Sequence, residues 1–249
     1  MHNFTRQVFF VVAIFAAGAA QAQWAGKAEL GLLYSNGNSE ARSANGKFDV
    51  THEGTKWRNN VYAAALYGAN GAFVSAERYE ARYQADYKIN DRFSWFVGVR
   101  GEEDKFSGFA YQATVSTGAT YKFVDSATTK LDGSLGAGYR QLQPEALVKT
   151  DAGEVLARIK GEKQSDPVAT LGSNYEHSFN KSTKITNKFL SEIGSENTSV
   201  ADDLALQVNM NEVLALAVGI GVRYNTDSPS LDEGTADTLF TVNLVYNIK

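Results

Sequence analysis

Polar and apolar residues alternate without a break in the stretch "RYEARYQADYKIN" (78–90). One face of this stretch is polar: Arg78, Glu80, Arg82, Gln84, Asp86 and Lys88. The other is apolar or aromatic: Tyr79, Ala81, Tyr83, Ala85, Tyr87 and Ile89. A period of two predicts a β-strand, because successive side chains point to opposite faces. A soluble sheet would bury the tyrosines in a core, whereas a membrane barrel would turn them toward lipid and the charges toward a wet lumen.

The same alternation recurs along the chain and predicts twelve strands in a single all-β domain. It is especially regular in 111–123, 214–223 and 240–248. The twelve segments lie near 24–35, 40–51, 57–68, 75–89, 93–105, 110–123, 129–141, 164–178, 183–194, 201–210, 213–225 and 236–248.

Three features favour a membrane barrel over a soluble sheet. The polar faces combine charge with glycine, which leaves room inside a closed lumen. Short links such as "HEGTK" and "FNKS" alternate with longer ones such as "GANGAFV", "SENTSVA" and "NTDSPSLDEG", as periplasmic turns alternate with external loops. Aromatic residues cluster near the short-turn ends and predict an interfacial girdle: Trp24, Trp57, Phe93, Trp95, Tyr121, Phe123, Phe179 and Tyr246.

The expected fold is therefore a transmembrane, antiparallel, up-and-down β-barrel of twelve strands, with both of its ends on the periplasmic side. The alternative is a soluble β-sandwich or lipocalin-like barrel in the periplasm that binds a ligand. That alternative would require a core that satisfies many tyrosine hydroxyl groups.

The first 22 residues read as a cleaved signal peptide. Arg6 supplies a positive start, an apolar stretch follows from Val8 to Ala20, and Ala20-Gln21-Ala22 is a small-x-small cleavage site. The expected domains are 1–22 as signal peptide and 23–249 as one barrel in the outer membrane of a Gram-negative bacterium. No later window is apolar over the roughly 18 residues that a membrane-spanning helix needs.

Composition narrows the chemistry of the chain. The sequence has no cysteine, so disulfides play no part, and its net charge of −4 does not indicate nucleic-acid binding. The three histidines include no pair at ligand spacing, and no glycine-rich stretch opens a helix, so neither a metal nor a nucleotide cofactor is expected.

Several segments resemble the salt-induced outer-membrane protein family, a barrel family of Gram-negative bacteria. They are "GKAELGLLYSNGNSEARSANGKFDV" (26–50), "EEDKFSGFAYQATVSTGATYKF" (102–123), "GAGYR" (136–140) and "DTLFTVNLVYNIK" (237–249). The resemblance implies an outer-membrane location and a link to salt or osmotic conditions. It brings no catalytic residues with it.

Inward charges are the candidate site residues. Arg78, Glu80, Arg82 and Asp86 on the fourth strand should neighbour Arg100, Glu102 and Asp104 on the fifth, and Glu176 should neighbour Lys184, Lys188 and Glu192. Opposite charges on one face of adjacent strands attract. The set predicts either a lattice of salt bridges that braces a narrow lumen or a charged constriction that selects solutes.

An enzymatic role is the competing interpretation, and the histidines argue against it. A lipid-cleaving site would need a serine within reach of His177, but Ser173 lies four positions away on the same face, roughly 13 Å along a strand. The acidic run Glu102–Asp104 could hold a divalent cation at the outer rim, but a solvated strand end next to a loop is the favoured explanation.

The long link 141–163 is expected to form a hairpin that extends strands seven and eight beyond the bilayer, with a short helix at 152–160 as the alternative. The expected partners are outer-membrane lipid, lipopolysaccharide and the barrel-insertion machinery, which would read the last strand. The expected function is a narrow solute or ion channel, or a braced envelope protein, rather than an enzyme.

Overall fold

The chain folds into a closed antiparallel β-barrel in the computed structural model, which describes residues 24–35, 41–71, 73–150, 155–227 and 236–248. The signal-peptide prediction for 1–22 lies outside the described residues. The strands are β1 (Trp24–Ser35), β2 (Ala41–Glu53), β3 (Trp57–Asn70), β4 (Phe73–Lys88), β5 (Phe93–Asp104), β6 (Phe109–Asp125), β7 (Thr129–Lys149), β8 (Val155–Lys160), β9 (Gln164–Ser178), β10 (Thr183–Gly194), β11 (Thr198–Asn209), β12 (Leu214–Asn225) and β13 (Ala236–Ile248).

Twelve of these strands form the barrel wall, as the alternation predicts. Each pairs with its sequence neighbours, β7 pairs with both β6 and β9, and β1 pairs with β13 to close the ring. The closing seam is short: β1 pairs with β13 only from Gly26 to Leu30, whereas it pairs with β2 from Trp24 to Ser35. No helix in the described ranges is long and apolar enough to cross a membrane.

The thirteenth strand, β8, lies outside the wall and settles the structure of the long link. It pairs only with the end of β7, from Glu145 to Lys149, so this part of the chain is an extended hairpin. The hairpin prediction is confirmed and the helix alternative is wrong. Arg158 on β8 ties the hairpin to the β5–β6 turn, because it donates to the Lys105 carbonyl oxygen at 2.7 Å and its guanidinium lies over the Phe106 ring.

Two of the links expected to be long are short. The β3–β4 link is residues 71–72, because β3 continues through Gly68 and Ala69, and the β10–β11 link is residues 195–197, because β11 begins already at Thr198. Gly71 takes a φ of 60° in the first of these turns, a left-handed conformation that glycine adopts without strain. The alternation of short and long connections is therefore weaker than the sequence suggests.

The barrel is apolar outside and mostly polar inside. Tyr79, Tyr83 and Tyr87, the aromatic face of the first stretch analysed, are exposed on the outer surface, while Glu80 and Asp86 from the same strand are buried. Of the predicted girdle, all but the half-buried Phe93 are exposed. Large exposed apolar residues would be costly in water, and they fit an outer surface that contacts lipid.

Candidate functional site

Arg100 is the centre of an ion-pair cluster that crosses the barrel interior. It lies on β5 and forms salt bridges with Glu80 on β4, with Glu102 on its own strand and with Glu192 on β10. The Arg100 Nη1 atom is 3.1 Å from Glu192 Oε2, although β5 and β10 are not neighbours in the wall. A contact between non-adjacent strands of a closed barrel must pass through its interior.

The other candidate residues of β4 and β5 lie near this cluster. Arg82 stands 3.4 Å from Glu80, and its guanidinium covers the ring of the buried Tyr62 at 4.1 Å. Asp86 is held instead by Arg58, directly opposite on β3. Arg78 stands opposite Asp104 in the β4–β5 register, and both line a cavity in the outer half of the barrel.

The set predicted on strands β9 and β10 divides among different partners. Lys184 binds Glu176 at 2.9 Å, as its position predicts. Lys188 instead reaches across the interior to Asp49 on β2, and Glu192 pairs with Arg100. Glu176 faces Thr186 in the β9–β10 register, with Lys184 and Lys188 two positions to either side, so both lysines lie beside it as expected. The expectation is wrong for Glu192, which faces Thr170, and Lys188 pairs elsewhere because its long side chain reaches the facing wall.

The first two strands contribute charges that the sequence analysis missed. Lys27 faces Asp49, and Glu29 faces Lys47, across the β1–β2 pair. Lys47 also crosses the interior to Asp203 on β11, where the two charged atoms lie 3.0 Å apart. The spacing Lys-x-Glu in one segment and Lys-x-Asp in the next, with all four charges on the inward face, is the signal that could have identified them.

A packed polar cluster fills the outer part of the interior beside β6, β7 and β9. It consists of Gln112, Arg140, Asp166, Asn197 and Asn225. Arg140 is fully buried, donates to both carboxylate oxygens of Asp166 and also donates to the Asn197 carbonyl oxygen. The Asn197 side chain donates to Gln112 at 3.3 Å and to Asn225 at 2.8 Å. The β10–β11 turn is thereby fixed to β6 and β7, two strands that pair with neither β10 nor β11.

Three cavities follow one another through the rest of the interior. An outer cavity of about 280 Å³ lies between Phe106 and Asp237 at one end and Lys188 at the other. A periplasmic cavity of about 640 Å³ follows it, and a third of about 650 Å³ opens among the β9–β10 and β11–β12 turns.

Adjacent cavities share wall residues, so they lie directly against one another. The periplasmic cavity meets the third at Glu176, Lys184 and Asn247. It meets the outer cavity at a set of residues that we call the constriction: Lys27, Asp49, Arg82, Thr186 and Lys188. The described residues therefore border a series of polar cavities from the periplasmic turns into the outer half of the barrel, and the side chains of the constriction lie between the last two.

His177 does not form a catalytic arrangement with Ser173. Its Nδ1 atom shares a 2.8 Å hydrogen bond with the Thr129 hydroxyl on the neighbouring strand, and its ring packs edge-on against Phe179. These contacts hold the ring in the aromatic level near the short turns, the arrangement of an interfacial side chain.

The chain matches one family and one curated relative along most of its length. The family is described as "Protein of unknown function, DUF481" and matches residues 28–248. The uncharacterized protein YdiY of Escherichia coli (strain K12) is 20% identical over 230 residues, which cover 92% of this chain and 85% of the relative. The match includes the segments that resemble the salt-induced outer-membrane protein family, and that resemblance is confirmed.

Solved structures with a similar course of the chain are outer-membrane barrels. The NanC porin is 12% identical with a TM-score of 0.46, covering 90% of this chain and 99% of the porin. The translocator domain of the autotransporter NalP from Neisseria meningitidis is 6% identical with a TM-score of 0.46, covering 93% and 89%. The KdgM porin is 11% identical with a TM-score of 0.44, covering 90% and 99%.

The exterior and the wall together define the location of the protein. A closed antiparallel barrel with an even number of strands, an apolar outer face and aromatic residues at the turn level is an outer-membrane protein of a Gram-negative bacterium. Its outer face contacts lipid.

Proposed function

We propose, from the premise that the chain belongs to the DUF481 family, that this barrel is a narrow channel for ions and small solutes across the outer membrane. The observation that carries the proposal is the series of three cavities that share wall residues. A lumen built only as a packed core would need no such series of polar cavities. In this proposal the constriction sets the size limit among the described residues.

The residues around the path support passage of hydrated ions rather than of apolar compounds. The constriction presents three cationic side chains, one carboxylate and one hydroxyl group. Such groups replace part of the hydration shell of an ion, whereas an apolar solute would have to strip water from them without compensation. The Arg100 cluster lies beside this path and holds β5 against β10, so it keeps the lumen narrow.

Single-channel recording of the refolded barrel in a planar bilayer tests the proposal. We expect small, steady openings, and a larger conductance after Arg82→Ala, because Arg82 lines both cavities at the constriction. Arg92→Ala, in the exposed β4–β5 turn, is the matched control and should leave the conductance unchanged. A folded, heat-modifiable barrel that never opens would contradict the channel.

A braced envelope protein is the second candidate, favoured by the packed polar cluster and the Arg100 cluster. In that case the barrel would help the envelope to withstand osmotic stress, the condition that the family resemblance implies. It would do so through its stiffness rather than through transport. A silent barrel whose deletion weakens cells in high salt would support this role. Unimpaired growth of the deletion strain at every salt concentration would contradict it.

We propose further that the barrel-insertion machinery recognises β13. This strand presents Phe240, Val242, Leu244 and Tyr246 outward in regular alternation and pairs with both β12 and β1. Lipopolysaccharide is the expected neighbour of the outer half of the wall.

A further inference from the structure

We infer that the channel selects small anions, although the chain as a whole carries a net charge of −4. The inference rests on the proposed channel function and names the class of solute that passes. What supports it is the radial position of the two signs of charge at the constriction rather than their number.

Cations at the constriction project toward water while their carboxylate partners stay at the wall. The Lys188 side chain is 38% exposed and its partner Asp49 is 11% exposed. Lys27 is 23% exposed against 8% for Glu29, and Arg82 is 28% exposed against 2% for Glu80. The same order holds for all three cations, so the ammonium and guanidinium side chains present more of their surface to the lumen than the carboxylates do.

The lengths of the side chains explain this order. Lysine and arginine carry their charge at the end of a long stem, so from an inward position on the wall they reach toward the axis. Aspartate and glutamate carry theirs close to the backbone, where neighbouring side chains cover them. Asn60, for example, donates to Asp49 at 2.8 Å, and Asn243 donates to Glu29 at 3.0 Å.

Formal neutrality of each pair does not cancel its field at the axis. Coulomb energy falls with distance and with the dielectric of the medium, and the cation is the nearer of the two charges to a solute in the narrowest section. A cationic ring of this kind attracts anions and repels cations, which is how charged rings select ions in pores. The barrel therefore has an anion-selective constriction inside an acidic protein.

Toward the periplasmic end the cation is no longer the more exposed member of its ion pair, which supplies a matched comparison. There Lys184 is 30% exposed and its partner Glu176 is 36% exposed. Both pairs join one lysine on β10 to one carboxylate, and removing either pair leaves the net charge of the chain unchanged. They differ in which sign faces the lumen.

The experiment measures the reversal potential of refolded barrels under a KCl gradient. For the wild type we expect a chloride-to-potassium permeability ratio of roughly threefold or more. The double substitution Lys188→Gln with Asp49→Asn should lower this ratio by about half or more, because it removes the exposed cation together with a shielded carboxylate. Lys184→Gln with Glu176→Gln should lower the ratio much less, because the two signs are about equally exposed there. The control, Lys122→Gln with Asp125→Asn at residues that line none of the three cavities, should leave the ratio unchanged.

Each other outcome has a definite meaning. If the Lys188 pair variant does not fold, Lys27→Gln with Glu29→Gln makes the same change on β1 and should lower the ratio in the same direction. A barrel that conducts without preference, or that prefers potassium, contradicts the anion selectivity but not the channel function. Equal effects of removing the Lys188 pair and the Lys184 pair would have the same meaning. A folded barrel with no openings overturns the channel and the inference together.

Discussion

The packed polar cluster and the constriction are built from the same kinds of residue, yet the first is closely packed and the second borders cavities. In the packed polar cluster, Arg140 and Asp166 are buried completely or nearly so and are enclosed by amide side chains. In the constriction, Lys188 and Arg82 border cavities. An inward polar residue is therefore not by itself a pore residue; what matters is whether its neighbours fill the space around it.

The difference has an energetic side. Ion pairs exposed to water contribute little to folding, because water screens them and the side chains lose entropy when they pair. Removing one member of a buried pair is far more costly, because the remaining charge is left without a partner and away from water. Substitutions in the two regions should therefore differ in their effects on stability, and three of them test that difference.

The largest loss is expected from Arg140→Ala, which leaves the Asp166 carboxylate buried without its cation. We expect the free energy of unfolding to fall by about 3 to 5 kcal/mol. Urea unfolding of the barrel in lipid vesicles, followed by tryptophan fluorescence, measures it. Adding Asp166→Asn should recover part of the loss, and no recovery would show that Arg140 acts through packing alone.

A smaller loss is expected from Gly194→Ala at the end of β10. A methyl group there would overlap Asp166 Oδ2 and stand 2.6 Å from Arg140 Nη2, so the packed polar cluster would have to shift. We expect the free energy of unfolding to fall by about 1 to 3 kcal/mol. Gly101→Ala is the control, since no heavy atom lies within 4 Å of its methyl group. Equal stabilities of the two variants in the same unfolding assay would show that the cluster is loosely packed.

The smallest effect is expected from Lys47→Ala, which removes an ion pair across the lumen in the outer cavity, next to the constriction. Asp203 keeps its second partner, Arg223, at 2.7 Å, so the loss should stay below about 1 kcal/mol. It should shrink further between low salt and about 1 M salt, where the Debye length falls to about 3 Å. A loss as large as that of Arg140→Ala, unchanged by salt, would remove the distinction between the two regions.

The strands of the wall could be predicted from the sequence, but the partners across the lumen could not. A period of two gives the face of each side chain, which is why the inward position of Glu80 and the outward position of Tyr83 followed from the pattern. It gives no information on which strands face one another across the ring. Lys188 and Asp49 are 139 positions apart, and Asn197 and Gln112 are 85 apart, so neither contact leaves a local signal.

The packed polar cluster also shows why a motif can be seen without its role being understood. Arg140 belongs to the "GAGYR" segment that carries the family resemblance, and Asn197 lies in a link that looks like an ordinary loop. Burial of both depends on the curvature of the sheet, which brings the β10–β11 turn against β7 across the intervening β9. The position of that turn follows from the three-dimensional course of the wall and leaves no pattern in the sequence.

The seam between β1 and β13 joins the two ends of the sheet over only part of the length of β1. Above Leu30, β1 is paired with β2 on one edge only, so its outer half resembles the free margin of an open sheet. Every other joint in the ring is held along most of the length of its strands. This seam is therefore the joint of the ring with the fewest backbone pairs, and we expect a force on the wall to open the barrel there first.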